Sequence, residues 1–340
     1  MKKQYNEILS NPVVPNDNGL YGISFFSGVR GFDIGAKKAG FSSLFLSDIM
    51  KQAGDAFKLN TLNSNEHLRS EGVYAVGKQA GDITKLSFEA IAGHIKDKLG
   101  IELKKGEASV IHGGPPCQGF SKCNMHRVEL SDRNMLIFEL LRIINEAKPK
   151  VGLIEQVPDL ISPKFFRVWS TIKYVLNSMT DYIWDFQVMD ASLYGARQKR
   201  KRLIIMLVRR DLGVPVSFPL PSPVDLSKVS VKSLLPHVNY FSPGQFKDSI
   251  KDAAKHIFCT MTATGSEKVY CADGKGRDLT IEERLVLTEL EGLNLEGISK
   301  SYQKKLVGNM VQVSFAEKLF QHVKENILLA SGQIGLKKAA

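Results

Sequence analysis

The sequence predicts an α/β fold in which parallel strands alternate with helices. Short apolar runs of strand length alternate with stretches of helical periodicity, and the first two strands flank a glycine-rich turn and a helix. The runs at 109–111 and 151–154 both lead to chemically reactive side chains, which is typical of the carboxyl ends of strands in open α/β sheets. A chain of 340 residues is long enough for one large domain or for two.

Composition narrows the class of protein. The net charge of +11 and a pI near 9.3 predict a polyanionic partner. A basic run at 197–210 carries much of this charge, and nucleic acid outranks a membrane because the run is not an amphipathic helix with an aromatic face. With no bilayer-length apolar run and no signal-like start, the sequence predicts an intracellular protein. The cysteines form no C-x-x-C pair, so neither a metal site nor a disulfide framework is predicted.

The amino-terminal part predicts a nucleoside-binding half-sheet. The first twenty residues are polar and turn-rich and are expected to form an arm. A strand at 22–26, a turn containing Gly28, a helix that stops at Gly40 and a strand that ends at Asp48 then follow. The turn lacks the G-x-G-x-x-G pattern, so a nucleoside without a pyrophosphate, such as S-adenosylmethionine, fits as well as a dinucleotide. A turn that only packs the helix on the strand remains an alternative.

A second turn follows the strand-like run at 73–76. Asp82 is a candidate partner for an adenine amino group and Ile83 for the adenine ring face. The alternative is that Asp82 caps the helix that the pattern through Phe88 and Ile91 predicts.

The stretch 113–121 (GGPPCQGFS) predicts a reactive thiol. Gly113 and Gly114 permit a sharp turn, and Pro115 and Pro116 fix two consecutive φ angles before Cys117. A cysteine on a stiff loop at the end of a strand is well placed to act as a nucleophile, although a small buried structural cysteine is the alternative. The polar stretch 121–134 is predicted to be a lid over the site.

The remaining elements complete the sheet and add a second domain. A helix with Leu136 at its start precedes the buried strand that delivers Glu155 to the same sheet edge as Cys117. The runs at 186–189 and 203–208 are predicted to pair as a hairpin at the edge of the sheet. Four prolines at 215–223 mark a linker to a smaller, loop-rich domain, and an apolar helix at 313–320 is predicted to dock back on the first domain.

These side chains together suit chemistry at carbon 5 of a pyrimidine. Attack of the Cys117 thiolate on carbon 6 makes carbon 5 nucleophilic, provided that ring nitrogen 3 is protonated or hydrogen-bonded. Glu155 in a dry site can supply that proton or hydrogen bond. Arg200 and Arg202 can bind the exocyclic oxygen and phosphates, and their charge favours the thiolate.

In these motifs the sequence resembles the DNA (cytosine-5) methyltransferase family. Matching blocks run in the family's order over nearly the whole chain; the most specific are the Pro-Pro-Cys-Gln block and the Gln-x-Arg-x-Arg block at 198–202. The resemblance implies a Rossmann-like S-adenosylmethionine-dependent methyltransferase fold, with a mixed, mostly parallel sheet and a smaller loop-rich target-recognition domain. The predicted division is 1–210 together with 303–340 for the catalytic and cofactor-binding domain, and 211–302 for target recognition.

The resemblance also implies the site residues. Cys117 is the nucleophile; Glu155 and Arg202 hold a cytosine flipped out of the duplex, with Arg200 as a further catalytic residue. Cofactor-binding positions are Phe26, Gly28, Val29, Asp48, Ile49, Asp82, Ile83, Pro116, Leu136 and Asn309. Substrate-binding positions are Pro115, whose carbonyl region reads the cytosine amino group, and Gln118, Ser121 and Gln198.

Four positions depart from the family pattern without removing a reacting group. Gln156 replaces a usual Asn, which puts the bracing of the Cys117 loop and the efficiency of the reaction in question. Ile49 replaces a frequent aromatic and is expected to weaken cofactor binding. Arg30 replaces a glycine, and Arg197 replaces a proline.

The sequence therefore predicts a DNA cytosine-5 methyltransferase that acts on double-stranded DNA as a cytoplasmic, nucleoid-associated monomer, with a restriction endonuclease as a functional counterpart. Two alternatives remain. One is methylation of RNA such as a tRNA, and the other is a non-catalytic DNA-binding protein on the same fold. The target sequence is not readable from the chain.

Overall fold

A computed structural model describes residues 5–11, 19–116, 135–243 and 250–332. Its larger sheet contains eight strands: β1 (Asn6–Asn11), β2 (Tyr21–Phe25), β3 (Ser42–Asp48), β4 (Gly72–Gly77), β5 (Val110–Gly113), β6 (Val151–Gln156), β7 (Tyr182–Asp190) and β8 (Lys201–Arg209). Their order is β1-β4-β3-β2-β5-β6-β8-β7. Strands β2 to β6 are parallel, whereas β1, β7 and β8 each pair antiparallel with their neighbours. The mixed, mostly parallel sheet is confirmed, and β7 and β8 form the predicted edge hairpin.

Helices cover the sheet and connect its parallel strands. They are α1 (Gly31–Lys38), α2 (Lys51–Leu59), α3 (Phe88–Leu99), α4 (Leu136–Ala147), α5 (Phe166–Ser178), α6 (Leu226–Val229), α7 (Val231–Leu234), α8 (Ile281–Leu287), α9 (Lys300–Asn309) and α10 (Val313–His322), which continues as a π-helical turn, Val323–Leu329. The apolar face of α10 packs on α1 as its pattern predicts. A methyl group added to Gly35 would lie 2.4 Å from Ala316 Cβ, so only glycine allows this approach. No helix in the described ranges is long and apolar enough to cross a membrane.

The prediction that the first twenty residues form an arm is wrong for Asn6–Asn11. This segment is the edge strand β1, paired antiparallel with β4. Edge pairing uses backbone hydrogen bonds and leaves the side chains largely at the surface, so the strand needs no apolar pattern. Residues 12–18 lie outside the described ranges.

A second sheet of four short antiparallel strands lies within the predicted target-recognition segment. Its strands are β9 (Tyr240–Ser242), β10 (Lys251–Asp252), β11 (Lys268–Tyr270) and β12 (Gly276–Asp278), in the order β10-β9-β11-β12. Phe241, Phe258 and Val269 of this region belong to one hydrophobic cluster. The same cluster contains Val29 and Leu46 from the region of the larger sheet. The domain boundaries themselves stay a prediction.

Candidate active site

The sheet reverses its winding between β2 and β5. Strands β3 and β4 lie on one side of β2, and β5 and β6 lie on the other. Ligands of open α/β sheets bind outside the carboxyl ends of the strands at such a switch point. Here those ends carry the glycine-rich turn, Asp48, the Gly113 loop and Glu155, so the structure brings four predicted features to one edge.

The turn after β2 holds three residues at positive φ. The φ angles are 57° at Phe26, 52° at Gly28 and 68° at Arg30. Left-handed backbone at a residue other than glycine costs about 1–2 kcal/mol and persists only where surrounding contacts impose it. Asp48 Oδ2 accepts from Gly28 N at 2.9 Å, and Tyr74 Oη donates to Gly28 O at 3.0 Å. Hydrogen bonds from β3 and β4 therefore fix both the N–H and the carbonyl of Gly28 in the turn.

Arg30 is a structural anchor in this chain. Its side chain is buried, and its Nη2 donates to Leu68 O at 2.7 Å while its Nη1 lies 3.3 Å from Arg69 O. The guanidinium also lies over the ring of Phe57. These bonds tie the turn to the segment after α2, and they explain how an arginine is retained at a left-handed position.

Asp48 is well placed for a nucleoside but already has two backbone partners. Besides Gly28 N, its carboxylate accepts from Met50 N at 2.8 Å. Burial raises the pKa of Asp48, and the two backbone N–H groups oppose that shift. Each carboxylate oxygen keeps lone-pair capacity for a ribose hydroxyl. Ile49 beside it is 50% exposed, which leaves an apolar face open at the same place.

The turn that contains Asp82 lies directly against β3. A methyl group at Gly81 would be 2.1 Å from Asp48 O, so glycine permits this contact. Asp82 Oδ1 accepts from Thr84 N, and Asp82 caps the short 3₁₀ turn Ile83–Lys85, whereas Ser87 caps α3. Asp82 is therefore a capping residue, as the alternative predicted, but it caps the 3₁₀ turn that precedes α3 and not α3 itself. Ile83 itself is buried.

The remaining predicted cofactor residues differ in exposure. Val29 is buried in the hydrophobic core, Leu136 at the start of α4 and Pro116 are both half-buried, and Asn309 is exposed at the end of α9. The carboxylate of Asp48, the open apolar face of Ile49 and the exposed amide of Asn309 are chemically suited to an adenosine group. Their cofactor-binding roles stay a prediction.

Glu155 and Arg202 form the candidate catalytic pair. Arg202 Nε lies 2.5 Å from Glu155 Oε1, and both side chains are largely buried. The loop after β5 approaches this carboxylate closely: a methyl group added at Gly114 would lie 3.0 Å from Glu155 Oε2. The pair therefore lies beside the loop that leads to Cys117. Cys117, Gln118, Ser121 and the predicted lid lie outside the described residues.

Gln156 braces this loop. Its Nε2 donates to Pro115 O at 2.8 Å in a buried hydrogen bond. Pro115 and Pro116 have no backbone N–H, so the loop can be tied to the sheet at this point only through its carbonyls. The longer arm of Gln156, compared with the usual Asn, supplies that donor.

Gln156→Met is expected to lower the free energy of unfolding by about 1–3 kcal/mol, because it keeps the side-chain volume and leaves the buried Pro115 carbonyl without this donor. Urea unfolding followed by circular dichroism measures the change. Gln312→Met is the matched control: Gln312 is also buried, and its side-chain amide has no hydrogen-bond partner within the described residues. Equal losses in the two variants would contradict the bracing role.

The structure separates Arg200 from Arg202. Arg200 is buried; its Nη1 donates to Met261 O at 3.0 Å and its Nη2 to Gly308 O at 3.1 Å. Two buried carbonyls from distant segments need donors, and Arg200 supplies them. The catalytic role of Arg200 stays a prediction.

Gln198 is likewise buried, and its substrate-binding role stays a prediction. Its Nε2 donates to Leu287 O at 3.1 Å, and its Oε1 accepts from Met261 N at 3.1 Å. Residues 198–200 thus hold the segment around Met261. Arg197 binds a different segment: it donates to Val286 O at the end of α8 and pairs with Glu291.

Sequence reasoning missed a buried polar cluster beneath the first turn. Asp33 Oδ2 accepts from Ser24 Oγ at 3.1 Å, and His112 Nε2 lies 3.5 Å from Asp33 Oδ1. Burial raises the pKa of Asp33 to about 7 and lowers the pKa of His112 to about 3, so His112 is neutral at pH 7 and the two are not an ion pair. Tyr74, which holds the turn, was also missed. No local sequence pattern marks these contacts.

Comparison with known proteins agrees with this architecture. Residues 20–240 match the family model for C-5 cytosine-specific DNA methylase. The type II methyltransferase M.HhaI of Haemophilus parahaemolyticus is 27% identical over 64% of this chain and 58% of its own length. M.BsuFI of Bacillus subtilis is 26% identical over 99% of this chain and 80% of its own. This chain spans about half the length of the first curated relatives that it matches.

A solved structure supports the fold. The crystal structure of a DNA modification methyltransferase encoded within an E. coli prophage superposes with a TM-score of 0.63 at 21% identity, covering 91% of this chain and 99% of that one. Sheet order and switch point define a Rossmann-like methyltransferase fold. Because the family model covers well over half of the chain, the protein belongs to the C-5 cytosine-specific DNA methylase family.

Proposed function

We propose that the protein is a sequence-specific DNA cytosine-5 methyltransferase. The observation that carries this proposal is the Glu155–Arg202 pair beside the loop that leads to Cys117, at the sheet edge that also holds the Asp48 turn. Family membership and the net charge of +11 support DNA as the substrate.

Each residue has a defined task in this proposal. The Cys117 sulfur adds to carbon 6 of the cytosine, and the electron pair displaced from the 5,6 double bond makes carbon 5 nucleophilic. Glu155 donates to or protonates ring nitrogen 3, while Arg202 keeps its carboxyl oriented. After carbon 5 has gained a methyl group it loses its proton, and the sulfur–carbon bond breaks. Carbon 6 is inaccessible in stacked DNA, so the cytosine must first be flipped out.

S-adenosylmethionine, when bound, supplies the electrophilic methyl group. We assign its adenosine part to the Asp48 turn, with Ile49 on the adenine ring. Asn309, at the end of α9, is assigned as a further contact with the cofactor. The region 211–302, which contains the four-stranded sheet, is assigned to target recognition in the major groove. Type II relatives support a restriction endonuclease as the functional counterpart. A monomer acting on nucleoid DNA in the cytoplasm completes the proposal.

Bisulfite sequencing of DNA from cells that express the protein tests this function. Protected cytosines confined to one short sequence are expected, and cells that express Cys117→Ser serve as the control without protection. No protected cytosine, despite binding of S-adenosylmethionine by the purified protein, would contradict a DNA substrate. Methylation of tRNA in excess of duplex DNA would reassign the substrate to RNA.

A further inference from the structure

Three segments that are distant in sequence meet at the side chain of Arg200. The first is 198–200, directly before the strand that carries Arg202. The second contains Met261 and Thr262, which precede β11 of the small sheet. The third ends α9 at Gly308 and Asn309. Arg200 donates to the carbonyls of Met261 and Gly308 from its two terminal nitrogens, so one planar guanidinium bridges the second and third segments.

The bridged segments are also in direct backbone contact. A methyl group at Gly308 would lie 2.4 Å from Thr262 O. Because Gly308 has no side chain, the end of α9 lies in direct contact with the Thr262 backbone. While Arg200 holds the two segments in this contact, a displacement of one is transmitted to the other, because close-packed backbone transmits strain instead of absorbing it.

Each segment belongs to a different function. The segment around Met261 leads through Thr262 and Glu267 into the small sheet, since Glu267 Oε1 accepts from Thr262 N at 2.6 Å. The third segment ends in Asn309, which is exposed next to Gly308. If the small sheet binds DNA and Asn309 contacts the cofactor, Arg200 lies on a hydrogen-bonded connection between the segments that meet the two ligands.

We propose that Arg200 is a positioning residue that couples DNA binding by the small sheet to cofactor binding at Asn309. The inference rests on the proposed function. DNA that displaces the Met261 segment displaces Gly308 and Asn309 through the guanidinium. By thermodynamic reciprocity the cofactor then strengthens DNA binding by the same factor.

The experiment measures the dissociation constant of S-adenosylhomocysteine by calorimetry, with and without a saturating duplex that carries the site found by bisulfite sequencing. In the wild-type protein DNA is expected to raise the affinity by about 5-fold or more, the lower end of usual coupling factors. Arg200→Lys is expected to bring this ratio close to one, because one ammonium nitrogen cannot occupy the positions of both Nη1 and Nη2, from which the guanidinium reaches the two carbonyls. The affinity without DNA is expected to change by less than about threefold.

Arg209→Lys is the control for removal of a guanidinium that binds backbone carbonyls, although Arg209 also pairs with Asp211. Arg209 Nη1 also donates to two backbone carbonyls, those of Gly106 and Lys148, but it lies at the amino-terminal ends of β5 and β6. Its ratio is expected to equal that of the wild type. Should Arg200→Lys not fold, Arg200→Gln removes the charge and can donate to one carbonyl.

The readout separates coupling from mere stability. A purely structural role lowers both affinities together and leaves their ratio unchanged, which would overturn the inference. A wild-type ratio of one would also overturn it, while site-specific methylation by the same preparation would leave the proposed function intact. Absence of any protected site in the bisulfite experiment contradicts the proposed function instead.

Discussion

Cys117→Ser is expected to abolish methyl transfer to DNA, with a fall of about 10³-fold or more in kcat. A serine hydroxyl is not ionised at neutral pH, whereas a cysteine is partly thiolate and intrinsically far more nucleophilic. Glu155 is assigned to ring nitrogen 3 of the cytosine, so the proposal includes no base that would activate the hydroxyl. Incorporation of a labelled methyl group into DNA measures the loss, and duplex binding by fluorescence anisotropy is expected to stay within about threefold.

Two of the three other cysteines bear on this prediction. Cys271→Ser, in the small-sheet region after β11, is expected to retain wild-type turnover. Burial raises the pKa of Cys259 to about 12, so that thiol is protonated at working pH and is no competing nucleophile. Normal turnover by Cys117→Ser would exclude covalent catalysis by this residue.

Arg284→Met is expected to lower the free energy of unfolding by about 3–5 kcal/mol. Arg284 Nη2 lies 2.6 Å from Glu267 Oε2, and both side chains are 0% exposed. Removing the guanidinium leaves the Glu267 carboxylate buried without its counter-charge. Glu267 also accepts from Thr262 N, so the damage reaches the segment that carries the contact with Gly308.

A double variant isolates the charge from the packing. Glu267→Gln combined with Arg284→Met leaves no buried charge, and the glutamine can still accept from Thr262 N. It is expected to be more stable than Arg284→Met alone, as urea unfolding of both proteins would show. A single variant that loses less than about 1 kcal/mol would contradict the assignment of an uncompensated charge.

Local patterns in the sequence were sufficient for the framework of the sheet. The runs that became β2, β3, β5 and β6 are apolar because both faces of a parallel sheet are covered. The positions of Asp48 and Glu155 follow directly, since a residue at the end of a parallel strand lies at the edge where ligands bind. The edge hairpin and the C-terminal helix were readable for the same reason: periodicity reports burial.

Contacts between distant segments decided the rest. Strand β1 pairs through its backbone and carries no apolar pattern. Arg200 and Arg202 share a motif and a residue type, yet one clamps the carbonyls of Met261 and Gly308 while the other meets Glu155. Backbone carbonyls are the same at every position of a sequence. Which of them are buried and need a donor is set only when the chain has folded, and that need determined the places of Arg200, Gln198 and Gln156.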